Sequence, residues 1–211
     1  LYFGDLYRDT ATTGPTAAGG RILRVRYGDA EDCDANGRPD VCEILHGGAD
    51  CNGNLVPDAC DLQNGTSHDY DGNLVPDECD PLFASTDRIS LGTGGTASFV
   101  LEAGAANAGH GYHLVGSMSG TSPGTPFGPV LLPLNTQNDV WFQLTWSVFS
   151  PALLQNTVGL LDPSGRALAA IVVPPLPLSL LGLQFHHAFL VQDATLQFTF
   201  ASNAMPLTLV Q

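Results

Sequence analysis

"DCDANGRPDVCE", residues 32–43, is written again as "DCNGNLVPDACD" at 50–61 and a third time as "DYDGNLVPDECD" at 69–80. Each phrase is twelve residues long, with Asp or Asn at positions 1, 3 and 5, Asp at position 9 and an acid at position 12. Cysteine stands at positions 2 and 11, except that Tyr70 takes position 2 of the third copy. How this phrase is read decides how the chain is organised, because everything on either side of it looks different.

The alternation has a chemical reason. A hard divalent cation collects six to eight oxygens at about 2.3–2.6 Å, and every second side chain of a tightly curled loop points inward. A calcium loop of EF-hand type takes its oxygens from positions 1, 3, 5, 7 (a backbone carbonyl), 9 and 12, usually with Gly at 6. The first phrase then offers Asp32, Asp34, Asn36, the carbonyl of Arg38, Asp40 and Glu43, with Gly37 at the sixth position. The second offers Asp50, Asn52, Asn54, the Val56 carbonyl, Asp58 and Asp61; the third offers Asp69, Asp71, Asn73, the Val75 carbonyl, Asp77 and Asp80. Ca2+ is the expected cofactor. Leu55 and Leu74 replace Gly at position 6, and a left-handed Leu costs about 1–2 kcal/mol. A millimolar site is worth about 4 kcal/mol, so the penalty weakens binding without forbidding it. Loop one therefore ranks above loops two and three, in which Asp at position 12 is also shorter than Glu.

The plainer reading makes these solvated acidic turns, since Asp, Asn, Gly and Pro are ordinary turn residues. Three copies in register weigh against it, and so does charge. Residues 29–80 hold 14 of the 21 acidic groups and one basic group, Arg38, for a net charge of −13 out of −14 for the chain. Such a segment, poor in apolar side chains, cannot build a core without cations, so metal binding there is folding free energy. The same charge repels polyanions, and the chain's seven Arg are scattered without any Lys; nucleic acid is not an expected partner.

All five cysteines, Cys33, Cys42, Cys51, Cys60 and Cys79, fall inside the phrases. Their regular spacing predicts a disulfide framework in an oxidising, extracellular setting. Pairing within phrases, Cys33 with Cys42 and Cys51 with Cys60, leaves Cys79 over, free or bonded to another chain. Pairing between successive phrases from Cys42 and Cys51 leaves three over and is less economical. Gaps of nine residues do not supply the close Cys pairs of a zinc site.

Six residues separate the first two phrases and seven the next two, too few for full EF-hand helices. A single turn fits, starting at Pro39 and stopping at Gly47. The pattern "DCNxN…PDxCD" resembles dockerin-like and thrombospondin type 3-like calcium repeats, which implies extracellular calcium binding over about 50 residues.

Beyond residue 83 the chain is a run of strand-length segments: "TASFVLEA", "GYHLVGSM", "GPVLLPLN", "DVWFQLTWSVF", "TVGLLD", "RALAAIVV", "LSLLGLQFHHAFLVQ" and "LQFTF…MPLTLV". With 24 Gly and 15 Pro disfavouring long helices, the fold class expected is all-β: an antiparallel β-sandwich, with a closed barrel as the runner-up. "DPSG", residues 162–165, predicts a hairpin turn. "VWFQLTWSVF" alternates apolar and polar side chains and predicts a strand, with Trp141 and Trp146 on opposite faces. The uncharged run Ala167 to Gln192 is long enough to span a bilayer, but Pro174, Pro175 and Pro177 split it and Gln184, His186 and His187 interrupt it, so it predicts two core strands rather than a membrane span. "LEAGAANAGHGYHLVGSMSGTSPG", "LDPSGRALAAIVVP", "LGLQFHHAFLVQD" and "SNAMPLTL" resemble a C-terminal β-sandwich module of secreted multidomain bacterial proteins, which implies architecture and export rather than a reaction.

Residues 1–28, "LYFGDLY" and "RILRVRY" joined by a Gly/Thr/Pro loop, predict a β hairpin. They resemble the last blade of the β-propeller of soluble pyrroloquinoline-quinone sugar dehydrogenases, whose catalytic residues would lie upstream. The chain begins at Leu1, as a processed product or fragment would. Three parts are thus expected: a hairpin over 1–28, calcium repeats over 29–82 and a sandwich over 83–211.

Other polar residues carry less. His186 and His187, adjacent in a strand, point to opposite faces and predict packing rather than a metal site. His110 and His113 receive no role, "GSMSGTSPG" reads as a loop, and Asn64-Gly65-Thr66 is a sequon. No nucleophile, base and oxyanion set can be assembled. The expectation is a non-catalytic secreted calcium-binding structural protein that associates with itself or with another extracellular protein. The alternatives are an anchoring tail of a propeller oxidoreductase and a carbohydrate- or cohesin-type binding module.

Overall fold

The computed structural model describes residues 31–211; the expected hairpin over 1–28, with its likeness to a propeller blade, lies outside the described residues. In each repeat a tight loop runs into a short helical piece: α1 over Asp40–Leu45, α2 over Asp58–Asn64 and a single 3-10 turn over Asp77–Cys79. A proline precedes each one. Pro39 (φ −59°) and Pro76 (φ −54°) are N-caps, where a fixed φ suits the entry and a missing N–H costs nothing. α1 stops at His46 and Gly47, whose φ of 102° no helix accepts, close to the expected turn from Pro39 to Gly47.

The described residues group into two units, one running up to Asp61 and one over Leu62–Gln211. The break falls inside α2 rather than at residue 82, so the third repeat belongs to the unit that holds the sandwich. Within that unit Tyr70 packs against the sandwich core. An aromatic ring at position 2, in place of a small sulfur, gives the third repeat an apolar contact with it.

The C-terminal body is all-β. Its strands, in chain order, are β1 (Leu82–Ala84), β2 (Arg88–Ser90), β3 (Gly95–Glu102), β4 (Gly111–Ser117), β5 (Thr125–Phe127), β6 (Val130–Leu132), β7 (Leu154–Gln155), β8 (Val158–Leu160), β9 (Arg166–Val173), β10 (Gln184–Gln192), β11 (Phe198–Ala201) and β12 (Met205–Val210). One sheet has the order β1-β3-β9-β7; the other has the order β2-β12-β10-β4-β8, with β11 also on β10. Pairing is antiparallel except for β2 beside β12, which run parallel. The core lies between the sheets. Ala97, Phe99 and Leu101 from β3 and Ile171 from β9 meet Leu114, Phe189, Val191, Leu207 and Leu209 of the second sheet, the alternate residues of each strand as a half-buried strand requires.

Two sequence expectations are corrected here. "VWFQLTWSVF" forms not a strand but a helix, α3, over Val140–Trp146. The carboxylate of Asp139 accepts the Phe142 amide at 2.7 Å, a side-chain N-cap. Helical spacing then puts Phe142 and Trp146 on one face, and Phe142 packs with Phe127 and Phe198 over Val115, Leu132 and Leu190. α3 and the β5–β6 hairpin thus cover the outer face of the second sheet, which is why β10 is buried over five successive residues. The second correction concerns "DPSG". It is a tight turn, with Gly165 at φ 82° and the Gly165 amide donating to the Asp162 carbonyl at 2.9 Å. It does not close a hairpin, however, because β8 lies in one sheet and β9 in the other.

Candidate metal-binding loops

The three loops share one internal hydrogen-bond pattern. The position-1 carboxylate turns back over the loop: Asp32 accepts the amides of Asn36 (3.1 Å) and Gly37 (2.9 Å), Asp50 those of Asn54 (3.1 Å) and Leu55 (3.1 Å), and Asp69 those of Asn73 (3.0 Å) and Leu74 (2.9 Å). The position-5 side-chain oxygen accepts the position-7 amide, from Arg38 to Asn36 at 2.9 Å, from Val56 to Asn54 at 2.7 Å and from Val75 to Asn73 at 2.7 Å. These bonds curl the backbone so that positions 1, 3 and 5 share a concave side.

In the first and third loops positions 3, 5 and 12 are brought together by the position-5 asparagine. Nδ2 of Asn36 donates to Asp34 (2.8 Å) and Glu43 (2.6 Å); Nδ2 of Asn73 donates to Asp71 (3.2 Å) and to both oxygens of Asp80 (3.1 and 3.0 Å). In the second loop Asn52 and Asn54 both donate to Asp61, at 3.3 and 2.9 Å. The only positive partner in these contacts is an amide hydrogen, a weak counterweight to two carboxylates. The donor set is all oxygen and the charge strongly negative, which fits a hard divalent cation. Bound there, the cation would supply the positive charge that these side chains lack.

Position 9 makes a contact that its spacing does not predict. Asp40 accepts the Cys33 amide, Asp58 the Cys51 amide (both 2.9 Å) and Asp77 the Tyr70 amide (3.0 Å). The backbone amide of each of these aspartates donates to the residue before the loop, to Glu31, Ala49 and His68 at 2.8–2.9 Å. Position 9 is therefore a clasp closing the base of the loop, and all three carboxylates are buried. In the third loop this leaves one atom uncompensated: Oδ2 of Asp77, a residue with 0 % exposure, has no hydrogen-bond partner. A buried carboxylate oxygen without a donor is costly.

Backbone strain is distributed evenly. Positions 4 and 6 both have positive φ in every loop: Ala35 (56°) and Gly37 (88°), Gly53 (73°) and Leu55 (70°), Gly72 (74°) and Leu74 (68°). Each loop spends a single glycine, at position 6 in the first and at position 4 in the others. The left-handed Leu anticipated at position 6 is present in loops two and three, and loop one carries its own strained residue at Ala35.

Carboxylates of the third loop titrate abnormally. Burial pushes Asp80 up to about 6, with the Asn73 hydrogen bond opposing and the charges of Asp71, Asp77 and Asp69 adding to the rise. Burial also raises Asp71 and Asp77. Protonation and a cation are alternative ways of relieving the same repulsion.

The cysteine pairing differs from the one expected. Cys33 is bonded to Cys60, with Cα atoms 5.9 Å apart, so position 2 of the first copy joins position 11 of the second. Cys51 and Cys79 are disulfide-bonded too, so Cys79 is not left over, and the thiol that is free is Cys42. Within the first phrase, Cys33, whose amide is held by the clasp, pairs with Cys60, and Cys42 stays free on α1. The stagger also accounts for Tyr70: a cysteine at position 2 of the last copy would need a further copy to join, just as Cys42 would need one before it. Asp40 lies among Cys33 and Cys60, with ligand atoms within 4.8 Å. Sulfurs tied in a disulfide are not thiolates, so this cluster is not a soft-metal site.

The remaining polar residues are structural. His187 is fully buried, and its Nε2 accepts from Nε1 of Trp141 at 3.1 Å. Burial, with a contribution from His186, holds its pKa down to about 3. His113 stacks on Trp146 with ring centroids 4.8 Å apart. Trp141 and Trp146 are five residues apart on a helix rather than on two strand faces. Asn64 of the sequon is the exposed last residue of α2. One residue that sequence reading missed reaches a loop: Nδ2 of Asn203 donates to Oδ2 of Asp71 at 3.0 Å across 132 positions. No local pattern could have revealed it.

The described residues thus define a class: an all-β chain with a β-sandwich and two disulfides, preceded by acidic, oxygen-rich loops. No protein-family model matches the chain, and no curated protein matches it. Among solved structures it is similar to WR4, a C. elegans member of the MSP family, at 10% identity and a TM-score of 0.29, over 62% of this chain and 97% of that one. No helix among the described residues is long and apolar enough to cross a membrane.

Proposed function

We propose that the protein is a non-catalytic, secreted calcium-binding structural protein whose loops are stapled by Ca2+ and disulfides and lead into a sandwich that presents or assembles with other extracellular chains. The observation that carries this reading is the threefold recurrence of one loop geometry in which Asn amide hydrogens bring the side chains of positions 3, 5 and 12 together. Disulfides in a chain of this size fit an oxidising compartment. The calcium affinity expected is that of extracellular modules, with Kd of about 10⁻⁴–10⁻³ M.

Calorimetric titration of the metal-stripped chain with CaCl2, alongside limited proteolysis over residues 31–80, tests the proposal. Binding of up to three ions, with protection of that segment in calcium and its cleavage in chelator, is the expected result. Equal cleavage with and without calcium, together with no heat of binding, overturns it. Self-association is tested separately by sedimentation in calcium, where a strictly monomeric chain removes the assembly part of the proposal.

A further inference from the structure

Asn203 sits between β11 and β12 and makes three hydrogen bonds with one side chain. Its Oδ1 accepts the Leu82 amide at 2.8 Å, and its Nδ2 donates to the Leu82 carbonyl at 3.1 Å and to Oδ2 of Asp71 at 3.0 Å. Leu82 opens β1 two residues after Asp80, and the amide of Glu102 in β3 donates to the Pro81 carbonyl at 2.7 Å. The position-12 carboxylate of the third loop is therefore tied to the first sheet through the chain itself, while the position-3 carboxylate is tied to the second sheet's β11–β12 connection through Asn203.

In the first loop the position-3 carboxylate, Asp34, is held from within, by the amide and the side chain of Asn36. In the third loop Asp71 has that same internal donor and one from outside. Tyr70 adds apolar contact with the sandwich core, and the unpartnered Oδ2 of Asp77 marks a buried, oxygen-rich site in need of a positive charge.

We propose that Asn203 is a positioning residue for the third loop's cation and that, through it, occupancy of this one loop stabilises the sandwich. The proposal rests on the calcium reading above. A cation held by Asp71 and Asp80 would close a ring running from loop to β1 to Leu82 to Asn203 and back to the loop. Binding free energy then appears as sandwich stability, and by linkage an intact sandwich tightens the site.

The test uses the full chain carrying Asp32→Ala and Asp50→Ala, which leaves the third loop as the cation site. Calcium affinity is measured by calorimetry, and sandwich melting by the near-ultraviolet signal of Trp141 and Trp146. Calcium should raise the sandwich Tm in this chain, and adding Asn203→Ala should weaken affinity about five- to twentyfold and shrink the calcium-induced rise in Tm. If Asn203→Ala lowers Tm equally with and without calcium at unchanged affinity, Asn203 merely holds Leu82 and the proposal is overturned. A second measurement needs no variant at position 203: the Asn203 side-chain amide resonance should shift over the same calcium range as the Gly72 backbone amide, and an amide that does not respond while Gly72 does also overturns the proposal. Absence of calcium binding in the unmutated chain is a different result, and it removes the calcium reading itself.

Discussion

Asp58 accepts the Cys51 amide at 2.9 Å, seven residues back along the chain, and it does so buried, against a residue that is itself disulfide-bonded. Loop closure and covalent stapling therefore meet at one point. Removing the acceptor leaves a part-buried N–H unpaired, which costs about 1–3 kcal/mol. Asp58→Ala should raise amide exchange throughout residues 50–61 even in saturating calcium, whereas Asp58→Asn, which keeps an acceptor oxygen, should be far milder. Equal exchange in the two variants would show that the charge, and not the clasp, is what matters.

Leu55 and Leu74 adopt φ of 70° and 68° with side chains 58% and 80% exposed. Glycine there relieves about 1–2 kcal/mol of left-handed strain against roughly 0.5–1 kcal/mol of added chain entropy. Leu55→Gly and Leu74→Gly should each tighten calcium at their own loop about two- to fivefold, while Gly37→Leu should weaken the first loop. Site-resolved titration by NMR decides; weaker binding in the glycine variants would mean that the leucines make contacts worth more than the strain.

With Cys33 joined to Cys60 and Cys42 free, thiol labelling of the unreduced, unfolded chain should modify one cysteine, Cys42. Cys42→Ser should leave the stability of the repeats unchanged. Cys60→Ser opens a crosslink spanning 27 residues, and should cost about 3–4 kcal/mol on the loop-entropy account. Labelling found at Cys79 would restore the within-phrase pairing.

His187 is neutral in the fold, since Trp141 donates into its Nε2 and burial holds its pKa down to about 3. The unfolded chain takes up a proton near pH 6.5 that the folded chain refuses until about 3. Stability is therefore full above pH 6.5 and falls as the pH drops through that window, by up to about 1.4 kcal/mol per pH unit. His113 and His186, also lowered by burial, add in the same direction. In His187→Gln, which keeps an acceptor for Trp141, the denaturation midpoint of the sandwich should decline less steeply between pH 7 and pH 4. An identical decline would clear His187 of any role in acid lability.

Spacing alone was enough for the curl of the loops. A side-chain oxygen at every second residue and a left-handed Leu at position 6 are local properties, set by residues within twelve positions of one another, and the turn starting at Pro39 follows from the same local rules. The all-β character of residues 83–211 was legible for a similar reason: alternation in β3, β4 and β9 reports the two faces of a half-buried strand. Local pattern misled where two periods fit one segment. "VWFQLTWSVF" alternates, yet the Asp139 cap and the need to cover Phe198 and Leu190 made it α3, and β10 hid its period because α3 and the β5–β6 hairpin bury its second face. Which cysteines pair, which sheets β8 and β9 join and that Asn203 reaches Asp71 were decided only by the tertiary structure. Each is a contact between residues distant in sequence, selected by which surfaces pack together, and neither composition nor spacing carries that information.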